Sequence, residues 1–576
     1  MRYCTKIFCS ICIVLLICST AMAQTLPDAG ILLQEQRQPG AILPDSLPSD
    51  REKEVMSSPM IDSGVMVFVK GFRFTGGDGI ATEAELQELV RNSIGLELGF
   101  SDLRNLAFIV TNYLREKKGY LLSRAYLPKQ DITDGIIEIA IISGRTDGKV
   151  KINIKKPGRI KPSLLEGIAN RAIPYNSPAR IEQIERAVLL MNDLPGINAK
   201  ASLEPGTTSG STKIVIYAAE GPVFNGILSG DNHGDRYTGA YRSTGEVSTY
   251  DPFGLGDQLN LAFRAADRLT QWRVSYKLPL GATGFTWNVA STGLAYELGK
   301  DLADLNVKGW ADSIFTGASY PLVRTRNASI QTSMGFEYMM LEDEANGEQI
   351  SDRELPFGTF SVSGTFFDTF HGGGLTNASI TLTGGDVDLS GHMVSKVNDD
   401  AGPGTHGNFM RGTYSLARLQ RLTRQITLYG AARGQLASGN LDSSQKFILG
   451  GPTGIRAYPV GEAPGDEGHA ITLETRFNLP YMPSWANTQL IGFFDAGWVK
   501  LHKDPWPGSV TNARSDNEYL LSGAGAGIMI VKPGRYSMGA SYAHKIGSND
   551  GRSLAGNDAD NLRDNGRFWI QLVVWL

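Results

Sequence analysis

From about residue 223 to residue 576 the chain repeats one pattern: segments of roughly 8 to 12 residues in which apolar side chains alternate with polar or small ones, between Gly, Asp and Asn turns. Such segments recur at 272–278, 425–432, 471–479, 490–499, 523–531 and 537–544. A period of two puts every second side chain on the same face of an extended strand, so this region is committed to β-structure. The last segment is the clearest. Phe568, Ile570, Leu572, Val574 and Leu576 form a wholly apolar face, with Trp569, Gln571, Val573 and Trp575 on the other. A soluble β-sandwich can also finish on an apolar strand, but closing on Trp-Leu without a polar tail reads as a strand whose outer face meets lipid. After residue 23 no run approaches 18 consecutive apolar residues, so any membrane crossing must use a closed barrel and not helices. At roughly 22 residues per strand and connection, the region predicts about 16 antiparallel strands. The 67 glycines, concentrated after residue 220, fit that reading.

The other end of the chain reads as an export signal over residues 1–23: Arg2 and Lys6, an apolar core over 7–18, then Ala21 and Ala23 before Gln24. Lipid attachment at Cys18 is disfavoured because Ile17 stands where that processing wants a small residue. All four cysteines, Cys4, Cys9, Cys12 and Cys18, lie in this segment, which excludes disulfides, thiolate metal sites and cysteine nucleophiles from the remainder. Without Arg2 and Lys6 the chain carries 53 basic against 59 acidic residues, which gives no electrostatic case for nucleic-acid binding.

Between these ends, residues 24–63 hold five prolines and one helix-compatible stretch at 29–38, with Asp28 as N-cap and Pro39 as stop. Residues 64–144 read as a β-α-α-β-β unit. Its strands are at 65–74, 120–127 and 136–142. Thr82 and Glu85 form a capping box for the first helix, and Ser101 serves as cap of a second with Leu103, Leu106, Ala107, Val110, Tyr113 and Leu114 on one face. The same order recurs over 145–221, with a helical stripe of Ile181, Ile184, Val188 and Met191 ended by Leu194-Pro195-Gly196. These stripes are core, and the strand edges are the surface that could accept an extended peptide. The barrel then occupies 222–576.

Reactive chemistry is hard to find. The seven histidines, His233, His371, His392, His406, His469, His502 and His544, are scattered without metal-ligand spacing, and no G-x-S-x-G elbow occurs. Gly523-Ala524-Gly525-Ala526-Gly527 lacks a dinucleotide loop's spacing and reads as a flat, close-packed strand surface. No catalytic residue, metal or cofactor is expected. A hydroxyl-based barrel enzyme is the competing reading, to be tested with ester and peptide substrates. One constellation stands out: Ile455-Arg456-Ala457-Tyr458 at the end of a Gly/Pro-rich run, and Asp495 with Gly497 inside an otherwise apolar strand. A bidentate contact between Arg456 and Asp495 would fix an inward-folded loop against the barrel wall.

At these residues the chain resembles the transporters of two-partner secretion, the haemolysin secretion and activation family within the superfamily of barrel-assembly factors. The pieces that carry the resemblance are 30–37 (GILLQEQR), Gly119-Tyr120, Leu127-Pro128-Lys129-Gln130-Asp131, Asp134-Gly135, Asn192-Asp193-Leu194-Pro195-Gly196 and 251–257 (DPFGLGD). The resemblance implies two periplasmic polypeptide-transport-associated (POTRA) domains, a 16-stranded outer-membrane barrel, an N-terminal plug helix and a loop folded into the lumen, its Arg456 paired with Asp495. It also implies an unfolded secreted exoprotein as partner, outer-membrane lipid around the barrel and insertion by the barrel-assembly machinery. The alternative it leaves is a factor that assembles other outer-membrane proteins, although such factors carry more repeats. The loop tip departs from the family's usual V-R-G-Y or V-R-G-F: Ala457 replaces Gly, which would strain the tip if that position needs a positive φ.

Overall fold

In a computed structural model, residues 27–37, 66–155, 158–208, 211–480 and 486–576 are described. The export signal read over 1–23, and the Pro-rich linker apart from 27–37, lie outside them. Sixteen antiparallel strands close into a barrel, from Phe224–Asp231 to Gly566–Trp575, each paired with the next. Closure is made where the first and last strands pair from Ile227↔Trp575 to Asp231↔Gln571. Alternation decides the two faces. In Asn487–Lys500, Phe493, Asp495, Gly497 and Val499 are buried toward the lumen, while Leu490 and Phe494 on the other face are exposed. Across the barrel, outward Val247, Phe263, Ile314, Phe336, Ile380 and Leu473 stay exposed, as a lipid-facing belt requires. On the last strand Phe568, Ile570 and Leu572 are exposed, as is Leu576 just beyond its end, and Trp569 is turned inward. No helix among the described residues is long and apolar enough to cross a membrane.

Ahead of the barrel stand two α+β units. In the first, the central strand Ile136–Ile142 pairs parallel with Gly71–Gly76 and antiparallel with Arg124–Tyr126, and its inward residues pack on helices Glu83–Val90 and Phe100–Asn112. The Thr82–Glu85 capping box forms in both directions. The second unit is built on Ser211–Glu220, parallel to Lys151–Ile154 and antiparallel to Ile197–Pro205, under helices Pro162–Ala172 and Ile181–Asn192.

Three local expectations change. The strand expected at 65–74 breaks in two because Val69 turns into the core: Met66–Phe68 pairs with Glu97–Gly99, and only Gly71–Gly76 joins the sheet. The second helix begins at Phe100, so Ser101 is not its cap; Asp102 Oδ2 accepts the Gly99 N–H instead at 3.0 Å. Of the strand expected at 120–127 only Arg124–Tyr126 pairs, since the preceding residues form turns such as Ser123 N–H to Tyr120 C=O.

Candidate functional site: a loop and a helix inside the barrel

The connection between strands Ile426–Ala437 and Glu467–Asn478 folds back into the lumen. A two-residue pairing, Phe447↔Gly465 and Ile448↔Pro464, makes it a hairpin. Its tip satisfies its own backbone, with Ile455 N–H to Leu449 C=O at 2.9 Å and Tyr458 N–H to Ile455 C=O at 3.1 Å. That is why a segment rich in Gly and Pro can be buried at all. Ile455, Ala457 and Tyr458 are fully buried.

Arg456 sets the seat. Its Nε donates to Asp495 Oδ2 and its Nη2 to Asp495 Oδ1, both at 2.8 Å, the two-pronged contact that a planar guanidinium makes with a carboxylate. Nη1 donates to Glu474 Oε1 at 2.8 Å on the adjacent strand, and Arg476 neutralises the other Glu474 oxygen. The guanidinium carbon lies 3.5 Å from the centroid of the Phe493 ring, so it is also stacked on an aromatic face. From the far side Trp569 Nε1 donates to the Arg456 carbonyl at 2.7 Å, tying the tip to the strand that closes the barrel.

Small residues make room for this seat. A side chain on Gly497 would meet Leu449 Cδ1 at 2.4 Å, and one on Gly523 would meet the Ala457 Cβ at the same distance. On Gly525 it would strike the Phe493 ring that supports Arg456. The glycine run of strand Glu518–Lys532 is thus a trough for the loop tip. Ala457 is unstrained, since positive φ falls at Gly451, Gly461 and Ala463 and not at 457. Sequence reading singled out Arg456, Asp495 and Gly497 and read the run from Gly523 as a close-packed surface without saying what packs there, but it missed Glu474, Phe493 and Trp569 as partners of Arg456. Inward position on an alternating strand, two residues from a buried charge, was the signal for Phe493.

Outside the strands, Glu462 at the loop's return accepts from Asn549 Nδ2 and Ala559 N–H, both at 2.7 Å, on the connection between the last two strands. Burial, reinforced by Asp558, pushes its carboxyl up to about 7. Burial likewise raises Asp235, on the first connection, to about 6.

The helix Ala29–Arg37 lies in the same lumen. Asp28 Oδ1 caps it through the Ile31 N–H at 2.8 Å. Ala29, Leu32 and Leu33 pack among inward-facing Leu294, Met339, Leu341, Leu355 and Phe409, forming a second apolar core inside the barrel. At its other end Gln36 Oε1 accepts from Arg242 at 3.0 Å and from Arg264, and Arg37 pairs with Glu337.

Of the remaining sequence motifs, 127–131 and 134–135 brace the first unit internally, with Gln130 bonded to the Glu138 backbone, and the others are joints. Ile181 N–H of the second unit donates to Gly119 C=O of the first at 2.8 Å, and the Arg180 guanidinium sits 5.7 Å from the Tyr120 ring centroid. The second unit in turn docks on one barrel rim. Lys161 N–H donates to Gly254 C=O at 3.1 Å, Asp193 takes a two-pronged contact from Arg324 at 2.7 and 2.9 Å, and Gly256 lies against Leu164 and Leu194.

No group of three or more His, Cys, Asp or Glu among the described residues could hold a metal ion. The arrangement holds two segments, a helix and a loop, inside the barrel through ion pairs, hydrogen bonds and apolar packing.

Residues 210–530 match the family of haemolysin secretion/activation proteins ShlB/FhaC/HecB, and residues 67–144 match the ShlB-type POTRA domain. The heme/hemopexin transporter protein HuxB of Haemophilus influenzae (strain 86-028NP) is 27% identical over 496 residues, covering 85% of this chain and 83% of that protein. The outer membrane transporter CdiB of Escherichia coli O6:K15:H31 is 22% identical over 475 residues, 78% of this chain and 77% of its own. Among solved structures, CdiB from Escherichia coli superposes with a TM-score of 0.68 at 18% identity, covering 94% of this chain and 95% of that one. The chain belongs to the haemolysin secretion/activation family, ShlB/FhaC/HecB.

Proposed function

We propose that this chain is the outer-membrane translocator of a two-partner secretion system, which takes an unfolded exoprotein from the periplasm and passes it through its barrel to the outside. The observation that carries this reading is a closed 16-strand wall whose lumen is occupied by a helix and a loop, with two α+β units ahead of it, the second docked on one rim. A wall closed on itself by strand pairing can stay paired while its contents are exchanged.

In this reading the two units face the periplasm and hold the partner as an added strand on an open edge, and the apolar outer belt sits in lipid after insertion by the barrel-assembly machinery. The chain performs no catalysis; Arg456 and Asp495 hold the resting loop, and the energy of transport comes from folding of the exported chain outside. The test is deletion of the gene. One large co-expressed protein should accumulate in the periplasm while the outer-membrane protein profile is unchanged. Broad loss of other barrels would make the chain an assembly factor instead, and no change in either would overturn both readings.

A further inference from the structure

We propose that Arg353 pins the N-terminal helix and the lumen loop into a single stopper, so that displacing either one releases the other. Arg353 projects inward from strand Glu348–Asp368 and is buried. Its guanidinium meets three carboxylates from three different parts of the chain. Nη2 lies 2.9 Å from Asp343 on the neighbouring wall strand and 3.1 Å from Asp28, the cap of the helix; Nη1 lies 2.8 Å from Asp442, at the base of the loop.

A hydroxyl closes the circuit. Ser443 Oγ accepts from Arg353 Nη1 at 2.8 Å and donates to Asp28 Oδ2 at 2.7 Å, joining the loop base directly to the helix cap. The backbones meet here as well: a Cβ added to Gly30 would lie 2.4 Å from Ser443 Oγ and 2.8 Å from Ser444 N. One turn further on, Gln34 Nε2 donates to the Lys446 carbonyl at 3.3 Å.

Each segment is therefore a ligand of the other, and coupling between two ligands is reciprocal. Loss of the helix strips the loop base of Asp28, Gly30 and Gln34, and loss of the loop strips the helix of the same contacts. Arg353 sets the strength of this coupling because, among the described residues, it alone faces all three carboxylates. Without its charge, Asp28, Asp343 and Asp442 confront one another in a buried site. Asp343 is fixed in the wall, so relief comes from protonation of a carboxylate or from movement of the helix and the loop, and labelling at pH 8 favours the second. Arg353 is a positioning residue, acting through Asp28 and Asp442.

The test uses the full chain in lipid and needs no secreted partner, so its failure is distinct from failure of the translocator reading on which its significance rests. Residues 24–576 contain no cysteine, so a single introduced cysteine reports cleanly. Leu33→Cys marks the helix and Leu449→Cys the loop, both buried at rest. Arg353→Met should speed maleimide labelling at both sites by about tenfold or more, with Arg353→Lys, which keeps the charge but not the fork, restoring only part of the protection and to the same degree at both. Gly30→Val, which evicts the helix sterically, should also speed labelling at Leu449→Cys, and it serves if Arg353→Met fails to give a heat-modifiable folded barrel. Exposure of the helix cysteine alone, or of neither, in folded protein would overturn the proposal.

Discussion

At Arg456 one guanidinium is divided between Asp495 and Glu474 and lies flat on Phe493, so charge, fork geometry and planarity all count. Removing Arg456 leaves Asp495 buried without its counter-charge, a loss of about 3–5 kcal/mol in loop seating, while removing Asp495 leaves Arg456 with Glu474 alone and breaks the two-pronged contact. Arg456→Ala and Asp495→Ala should therefore be strongly non-additive, and a double variant no worse than either single one in export of the partner. Independent, additive losses would mean that the two residues do not act as a pair. Arg456→Lys should be nearly as damaging as Arg456→Ala, because an ammonium neither forks nor stacks. Where the tip touches the wall the constraint is steric. Gly523→Ala would bring two Cβ atoms to 2.4 Å, overpacking the seat by about 1–3 kcal/mol. Its effect on conductance in planar bilayers should be reversed by Ala457→Gly, whereas a defect that survives the second substitution would place the damage elsewhere.

At the scale of elements, the loop is held at its return as well as at its tip, and there the bond is proton-dependent. Glu462 is raised to about 7, above the roughly 4.3 of a free carboxyl, so the folded arrangement binds the proton more tightly than a released loop does. That contribution is complete below about pH 4.3 and is lost as pH rises through 7; Asp235, raised to about 6, acts in the same direction. Open events in planar bilayers should grow more frequent from pH 5 to pH 8, and Glu462→Gln should flatten the upper part of that profile. An unchanged profile would show that this contact does not govern opening. How much of this was legible depended on periodicity. The helices of the two α+β units declare themselves by a 3.6-residue stripe and by the Thr82–Glu85 box, and the barrel by its period of two. The apolar core inside the barrel did not, because alternation shows that two faces differ without showing which is the lumen. Inward Leu341, Leu355 and Phe409 read the same as outward Phe336, Phe360 and Met410. Arg353 likewise has no local signal, since its carboxylates come from positions 28, 343 and 442.

At the scale of the whole molecule, the joints decide how far the soluble units stand from the channel mouth. Gly254 is the tightest of them. Its φ is +73°, and a Cβ there would lie 2.6 Å from the Arg159 carbonyl. Gly254→Val should unseat the second unit while leaving the barrel's heat-modifiable mobility intact, and protease should then cut near residues 220–223, where the chain passes between them. A protected linker would show that the remaining contacts, Asp193 with Arg324 among them, hold the joint alone. The filled lumen bears on the cell as much as on the transporter. A barrel with polar walls around water would be a standing hole in the envelope, with toxicity rising with copy number. Because the idle channel is obstructed by the protein's own helix and loop, such molecules can be installed ahead of demand, and the cost of permeability falls only on those engaged with cargo at a given moment.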